Sequence, residues 1–573
     1  MLTLSLVIPL CGYCALLFTK AEDNKLIPWL LTSIFLTIGS IFSLISFVDS
    51  LSWEAPKVIS LFSFMHFGDF KEAFSLKFTS SSSFIYFIIY ILSLFIVLFC
   101  LPYMQYKQNM PRLLSDILLL VFTMLLLISA DNLLLLLFAY ELQSICIYLA
   151  INFTKKRYKS NQAAFTSLMM NLFADALIAG TAVIIFMHGS PELQHLGMIL
   201  LVLAAMAKGG QTGFSVWVSG TMEAPSPTAA LLNGLVIPLG SITLLISFLP
   251  LAESVFFPSA VIIIGALGAL GGALVACLQH EVKKILAYST VSQIGLMFIA
   301  IGEGSFYPVL LLFALHGAAK ILLFLGYAEV IRTMSGEHDI RHFGGIGKTL
   351  KFSCLACFAG SIGIILTTAS AISILTNYWL LFTGIMTAFF TGIYLFRPWF
   401  HIFFGPLKGE EALLARLSRE STLSITAITG LLLSTILASI YFFQTEDSET
   451  YHQLLLAALI GFAAIAYAFK KDLSFRDYVE FSWPRLYQFL KKSFGGEDFY
   501  YHLLPAFIIM ASKEISTIPY KYSKWLQNIF YELSEKISSL NIHTNQNNIT
   551  VNIFIIIIST IILLSFALII IGL

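Results

Sequence analysis

The amino-acid sequence predicts an all-α polytopic membrane protein, with about sixteen spanning helices and a polar, amphipathic arm before the last of them. Three observations carry that prediction. Hydrophobic residues make up 58% of the 573 positions and charged residues only 11%, with a mean hydropathy of +0.87, unlike any water-facing surface. Apolar runs long enough to cross a bilayer recur from Leu2–Phe18 through Val551–Leu573. The runs are unbroken blocks such as LLLLLFAY and IFIIIISTIILL rather than the alternation of a β-barrel, so backbone groups are satisfied within helices.

Predicted helices 1 to 3 (2–18, 27–48, 83–104) form an N-terminal segment, 1–112. Residues 1–18 lack the basic start of a signal peptide and read as a membrane helix. Helices 4 to 8 (113–130, 132–152, 163–187, 197–218, 228–249) fill 113–249, and helices 9 to 13 (260–279, 282–303, 307–331, 352–374, 379–402) fill 260–402. Helices 14 and 15 (422–443, 452–470) lie in 403–470. The stretch 471–549 is rich in charge and aromatics, is broken by Pro484, Gly495-Gly496, Pro505 and Pro519, and reads as an arm on the membrane surface. Helix 16 (550–572) follows it within 550–573.

Lysine and arginine set the orientation. Connections after odd-numbered helices, with the adjoining Lys283 and Lys284, hold seventeen of them; those after even-numbered helices hold three, all within 49–82. That bias puts the odd connections in the cytoplasm and the N-terminus outside. A bacterial inner membrane is the expected location, an organellar inner membrane the alternative. A net charge of +1 points to no nucleic-acid partner. Cys11/Cys14 and Cys354/Cys357 have CxxC spacing inside apolar helices and read as buried small hydrophobes; no metal or cofactor is expected.

Charges at mid-bilayer depth are the functional clue. Glu141 lies ten residues beyond Asp131, about 15 Å into a core about 30 Å thick. Asp175 is central in helix 6 and Lys208 in helix 7, while Lys320 follows His316 by one turn on the same face of helix 11. Each costs several kcal/mol unless paired or hydrated, so an ion pathway is the first reading. A static pair that pins helices is the second. Lys283 and Lys284, at the edge of helix 10, and Arg397, near the end of helix 13, need no more than the positive-inside bias. Lys208-Gly209-Gly210 breaks an apolar run, as transporters do around ion sites, and Gly360–Gly363 with Thr367-Thr368 makes a weaker interruption in helix 12. Helices 4–8 and 9–13 are therefore expected to be two inverted five-helix repeats.

At these residues the sequence resembles the antiporter-like subunits shared by respiratory complex I and multi-subunit cation/proton antiporters, on the subunit L (chain 5) branch. ADNLLLLLFAYELQSICIYLAINF is similar to that family's helix 5, AKGGQTGFSVWVSGTMEAPSPTAALL to its broken helix 7, LHGAAKILLFL to helix 11 and FTGIYLFRPWFHIFFG to helix 13. VKKILAYSTVSQIGLMFIAIG is the most specific match. The resemblance implies a half-channel around Glu141, Asp175 and Lys208, joined through His316 and Lys320 to a second half-channel. It implies no flavin, iron–sulfur cluster or quinone in this chain, and no catalytic site. Neighbouring membrane subunits would be held through the 471–549 arm. The sequence departs from the family at three positions, and the last of them leaves the outward half-channel without its titrating residue. The helix 8 histidine falls on Asn233, a helix 11 histidine falls on Leu312, and the helix 12 lysine is absent near Thr367 and Thr368. Lys283 stands beside them as a further accessory cation.

The expected function is thus a proton-translocating, non-redox subunit of an NADH-quinone oxidoreductase assembly. The alternatives are a subunit of a Mrp-type Na+/H+ antiporter, the membrane subunit of an inorganic-carbon pump, or a structural subunit with a degenerate channel.

Overall fold

The structure, a computed structural model, describes residues 2–19, 25–67, 70–105, 109–155, 157–186, 191–248, 256–334, 336–372, 377–406, 421–443, 475–492 and 494–498. Predicted helices 15 and 16, and most of the 471–549 arm, lie outside the described residues. Eleven described helices are long and apolar enough to span a membrane, and three more are apolar but shorter. Residues 1–494 form one compact unit; of the second, from Gly495, only the short helix Gly496–Asp498 and the glycine before it are described.

The helices are α1 (Leu2–Leu17), α2 (Leu26–Ser50), α3 (Ser80–Tyr103), α4 (Met110–Ser129), α5 (Leu133–Ile151), α6 (Tyr158–Phe186) and α7 (Pro191–Lys208). After a break come α8 (Ser215–Gly220), a 3-10 turn (Thr221–Glu223) and α9 (Ser226–Leu231), which passes through a π turn (Leu232–Val236) into α10 (Ile237–Phe248). Then follow α11 (Phe256–Leu278), α12 (Val282–Gly302), α13 (Phe306–Thr333), α14 (Lys351–Ile372), α15 (Tyr378–Phe403) and α16 (Thr422–Phe443), with α17 (Phe475–Ser482) and α18 (Pro484–Lys491) at the start of the arm. α12 and α13 are buried almost all round, whereas α1 and α2 present Leu4, Ile34, Ile41 and Val48 outward. α18 packs on α11 and leaves Phe481, Trp483 and Phe489 exposed around it.

Helix association in lipid depends on close packing rather than on apolar burial. The tightest crossing, α11 on α12, is made of small residues: a β-carbon on Gly295 would lie 2.4 Å from the Ala269 nitrogen, and one on Gly265 would lie 2.6 Å from the Gly295 carbonyl. That contact holds α12, and the polar face it carries, in the centre of the unit.

Three sequence expectations are corrected. The all-α reading omits one element, in the 49–82 connection: β1 (Lys57–Phe67) and β2 (Phe70–Phe78) form an antiparallel hairpin with Lys57 opposite Phe78. In β2, Phe74, Leu76 and Phe78 alternate with Ser75 and Lys77, the period of a strand. Ser75 anchors it, accepting from Asp131 N at 3.2 Å and donating to the Asp131 carboxylate at 3.1 Å. The second interruption is missing too. α14 runs unbroken, because Gly360 packs against Leu323 and Ser361 returns its hydroxyl to the Cys357 carbonyl at 2.7 Å. Finally, Cys11 and Cys14 are exposed on α1 rather than buried.

The connection from α13 to α14 is folded by its own charges. Glu337 accepts from the backbone N–H groups of His338 and Asp339, each at 2.8 Å, and Asp339 accepts from Arg341 N at 3.0 Å and from its guanidinium. Val282 N and Ile340 N then zip the loop to the start of α12. The Asp339 N–H holds the Glu337 carboxyl below its usual range. Burial opposes the charged form of Asp339, but the Arg341 donors outweigh it and bring Asp339 down to about 2. Burial, helped by Lys283, lowers His338 from 6.5 to about 4. A histidine held neutral binds fewer protons folded than unfolded, so its loop is destabilised as pH falls from 6.5 towards 4; the two carboxylates act in the same direction, lower still. Hydrogen-exchange protection at Ile340 and Val282, corrected for intrinsic rates, is therefore expected to fall across that window, and His338→Leu to flatten the fall. Equal protection at both ends of the window would refute it.

Candidate functional site

α7 ends on Lys208, Gln211 N donates back to the Met206 carbonyl at 2.9 Å, and helix resumes at Ser215. Gly210 has φ +57, and a β-carbon there would lie 2.1 Å from Val218 Cγ2, so the turn requires glycine. Trp217 Nε1 takes the Ala207 carbonyl at 2.9 Å, satisfying a group the broken helix leaves open. Lys208 thus carries its ammonium at the partially negative end of α7.

Three side chains from α5 and α6 converge on it. Lys208 Nζ lies 2.6 Å from Asp175 Oδ1, with both side chains almost wholly buried. Ser144 Oγ accepts from Lys208 at 3.0 Å and donates to Asp175 Oδ2 at 2.7 Å; the Tyr140 carbonyl, 2.8 Å away, is a second acceptor for the same proton. The Tyr140 ring stands 4.9 Å from the ammonium, and its hydroxyl donates to the Gly240 carbonyl at 2.6 Å.

Glu141 is placed differently. It lies within electrostatic reach of Asp175 and Lys208, but no ion pair joins them, and its buried Oε2 has no hydrogen-bond partner among the described residues. It shares the half-exposed face of α5 with Phe138. The direct counterion of Lys208 is Asp175.

A second polar thread runs from the π turn before α10 through α13, α12 and α14. Asn233 sits in the π turn and donates to Thr221 Oγ1 at 2.9 Å and to the Ala229 carbonyl at 3.0 Å, while its own carbonyl lies 3.4 Å from His316 Nε2. One turn further, Lys320 donates to Ser289 Oγ at 2.5 Å. Lys320 is fully buried, and among the described residues no carboxylate lies within ion-pair distance of it. One turn beyond Ser289 on α12, Gln293 donates to Thr368 Oγ1 at 2.9 Å and accepts from Thr367 Oγ1 at 2.7 Å. Every step in this thread is a contact or a single helical turn.

Lys283 and Arg397 correct the surface reading. Lys283 is buried and donates to the carbonyls of Met222 and Ala224 at 3.2 and 3.3 Å, sealing the end of the 3-10 turn. Arg397 donates to the carbonyls of Cys277 and Gln279 at the end of α11. Only Lys284 behaves as an edge charge, pairing with Glu281 at 2.9 Å. Tyr140, Ser144, Ser289 and Gln293 are absent from the sequence-based site; their one signal is polarity inside apolar runs.

A family profile described as NADH:quinone oxidoreductase/Mrp antiporter, TM, matches residues 130–397, the stretch that holds every group above. NADH-ubiquinone oxidoreductase chain 5 of Dugong dugon is 30% identical over 420 residues, 67% of this chain and 69% of the relative. The chain belongs to this family. Its membrane helices carry the antiporter-like architecture of subunit L and chain 5. NADH-quinone oxidoreductase subunit L of Rickettsia typhi is 30% identical over 430 residues, covering 69% of this chain and 65% of that one. The fold also matches a chain in the structure of a Mrp complex from Dietzia sp. (TM-score 0.73, 15% identity, 95% of this chain and 63% of that chain). It matches one from the membrane-bound sulfane sulfur reductase, an archaeal respiratory membrane complex (TM-score 0.68, 16% identity, 82% and 99%).

Proposed function

We propose that this chain moves protons, or a monovalent cation in their place, across a bacterial inner membrane as one antiporter-like subunit of an NADH-quinone oxidoreductase assembly. The observation that carries the reading is the Lys208–Asp175 pair, buried at a helix break and bridged by Ser144. An unpaired ammonium in a dry interior is costly, and losing its proton removes the charge. Opening and closing the pair therefore loads and unloads Lys208. Glu141, on the half-exposed face of α5, is where the charge of a neighbouring subunit would act on the pair. The basic ends of the helices, with Lys155, Arg157 and Arg332, would face the cytoplasm, the N-terminus would lie outside, and the 471–549 arm would reach neighbouring subunits. Residues 113–249 and 260–402 would be the two inverted repeats, one centred on Lys208 and the other carrying Lys320.

A Mrp-type antiporter is the second reading. It is favoured by α14, which offers Thr367 and Thr368 to Gln293 where the family carries a lysine. Glu141→Gln separates transport from scaffolding. The variant is expected to assemble normally and to reduce proton and sodium flux in sealed vesicles to background. Undiminished flux of either ion would sink the translocating reading.

A further inference from the structure

One buried carboxylate stands apart from the groups above. Asp116 lies six residues into α4, about 9 Å from the start of the helix at Met110, at the end of the bundle that carries Lys155. It is 6% exposed, and its Oδ2 has no hydrogen-bond partner among the described residues. A buried carboxylate is normally paired or fully hydrogen-bonded, so an open oxygen at this depth is unusual.

Its neighbours show what it faces. Arg112, one turn earlier on α4, spends its guanidinium on the carbonyls of Asn152 (2.8 Å) and Phe153 (3.0 Å), at the end of α5. Lys155, just beyond, is exposed. Both act on Asp116 electrostatically and neither forms an ion pair with it. The carboxylate therefore lies just inside a positive collar. Cys146 on α5 and Tyr13 on α1 lie within electrostatic reach of it, and Cys14 within reach of Tyr13. One turn from Cys146, on the same face of α5, Gln143 is 1% exposed, and its Nε2 has no hydrogen-bond partner among the described residues. The other end of that amide lies against Gly240, whose carbonyl receives the Tyr140 hydroxyl; the Tyr140 ring faces Lys208. Unpartnered polar atoms on two helices that pack together, Asp116 on α4 and Gln143 on α5, are the usual setting for ordered water.

We propose that Asp116 is a proton-accepting residue that feeds the Lys208–Asp175 pair along the inner face of α5, through Cys146 and Gln143. This route is separate from Glu141, which lies on the outer face of the same helix. The step is simple in balance: Asp116 takes a proton from water at the collar and passes it through water to the pair, with no bond formed elsewhere. The proposal rests on the translocating reading above.

The test uses the whole membrane assembly in sealed vesicles, with flux measured as a function of pH on the collar side. Asp116→Asn keeps size and polarity but accepts no proton, so flux is expected to fall by roughly tenfold or more. Asp116→Glu is expected to recover most of it with a displaced pH profile. Gln143→Met, which leaves Asp116 in place, is expected to slow flux without moving that profile. Native flux in Asp116→Asn overturns the proposal. If that variant does not assemble, native flux in Gln143→Met overturns it instead. Loss in Asp116→Asn that Asp116→Glu leaves unrecovered also overturns it, because a carboxylate is then not what the position supplies. Glu141→Gln and Lys208→Ala are run beside them: if they retain flux, the translocating reading itself has failed, whatever Asp116 does.

Discussion

Lys208→Ala is expected to stop ion movement and to weaken the fold in the same stroke. Asp175 is wholly buried and 2.6 Å from the ammonium, so removing the lysine strands a carboxylate in the interior. Breaking one side of such a pair costs about 3–5 kcal/mol, unless the carboxyl takes up a proton. Thermal unfolding in detergent is therefore expected well below the native temperature, and loss of flux alone would not show that Lys208 carries the ion. Asp175→Asn combined with Lys208→Gln supplies the control. Two neutral groups of similar size keep hydrogen bonds to Ser144 and leave no charge uncompensated, so stability is expected to return towards native while transport stays at background. If the double variant regains both, the pair only pins α6 to α7, and the static reading is the correct one.

The contrast between Lys208 and its surroundings shows what a sequence can and cannot reveal. Lys208 is legible because Gly209-Gly210 follows it: a charge beside a helix breaker, inside an apolar run, is the pattern a discontinuous membrane helix leaves in a sequence. Depth is legible for Glu141 and Asp175 as well, since residue count along a helix converts directly to distance. Which of the two meets Lys208 is not. That depends on how α5 and α6 are rotated against α7, and the rotation is set by packing among many apolar side chains, none decisive alone. Ser144 and Gln293 escape for another reason. Neutral polar side chains cost little in a helix, so nothing in the sequence distinguishes a serine that returns its hydroxyl to its own helix from one that bridges an ion pair. Lys283 and Arg397 show the converse error. Basic residues near helix ends match the positive-inside pattern, yet here each is turned inward onto open carbonyls of a neighbouring element. Of the hairpin, β2 is visible as period-2 alternation, whereas the adjacent apolar pairs of β1 (Val58-Ile59, Leu61-Phe62, Phe64-Met65) hide its partner.

Lys320 is expected to behave in the opposite way to Lys208. It is fully buried, donates to Ser289 at 2.5 Å, and among the described residues has no carboxylate in contact. Lys320→Met therefore strands no counterion, and Ser289 keeps an acceptor in the Leu286 carbonyl at 2.9 Å. Removing an isolated buried ammonium relieves a desolvation cost of several kcal/mol, so unfolding is expected at or above the native temperature. Flux, in contrast, is expected to fall to background. Among the described residues the thread continues beyond Lys320 through Gln293, Thr367 and Thr368, none of which titrates. The two lysines thus give separable outcomes in one assay. Flux lost in both variants makes Lys320 part of the route, with hydroxyls and water carrying the last step. Flux retained in Lys320→Met but lost in Lys208→Ala confines transport to the first half, and leaves α12 to α14 as scaffold.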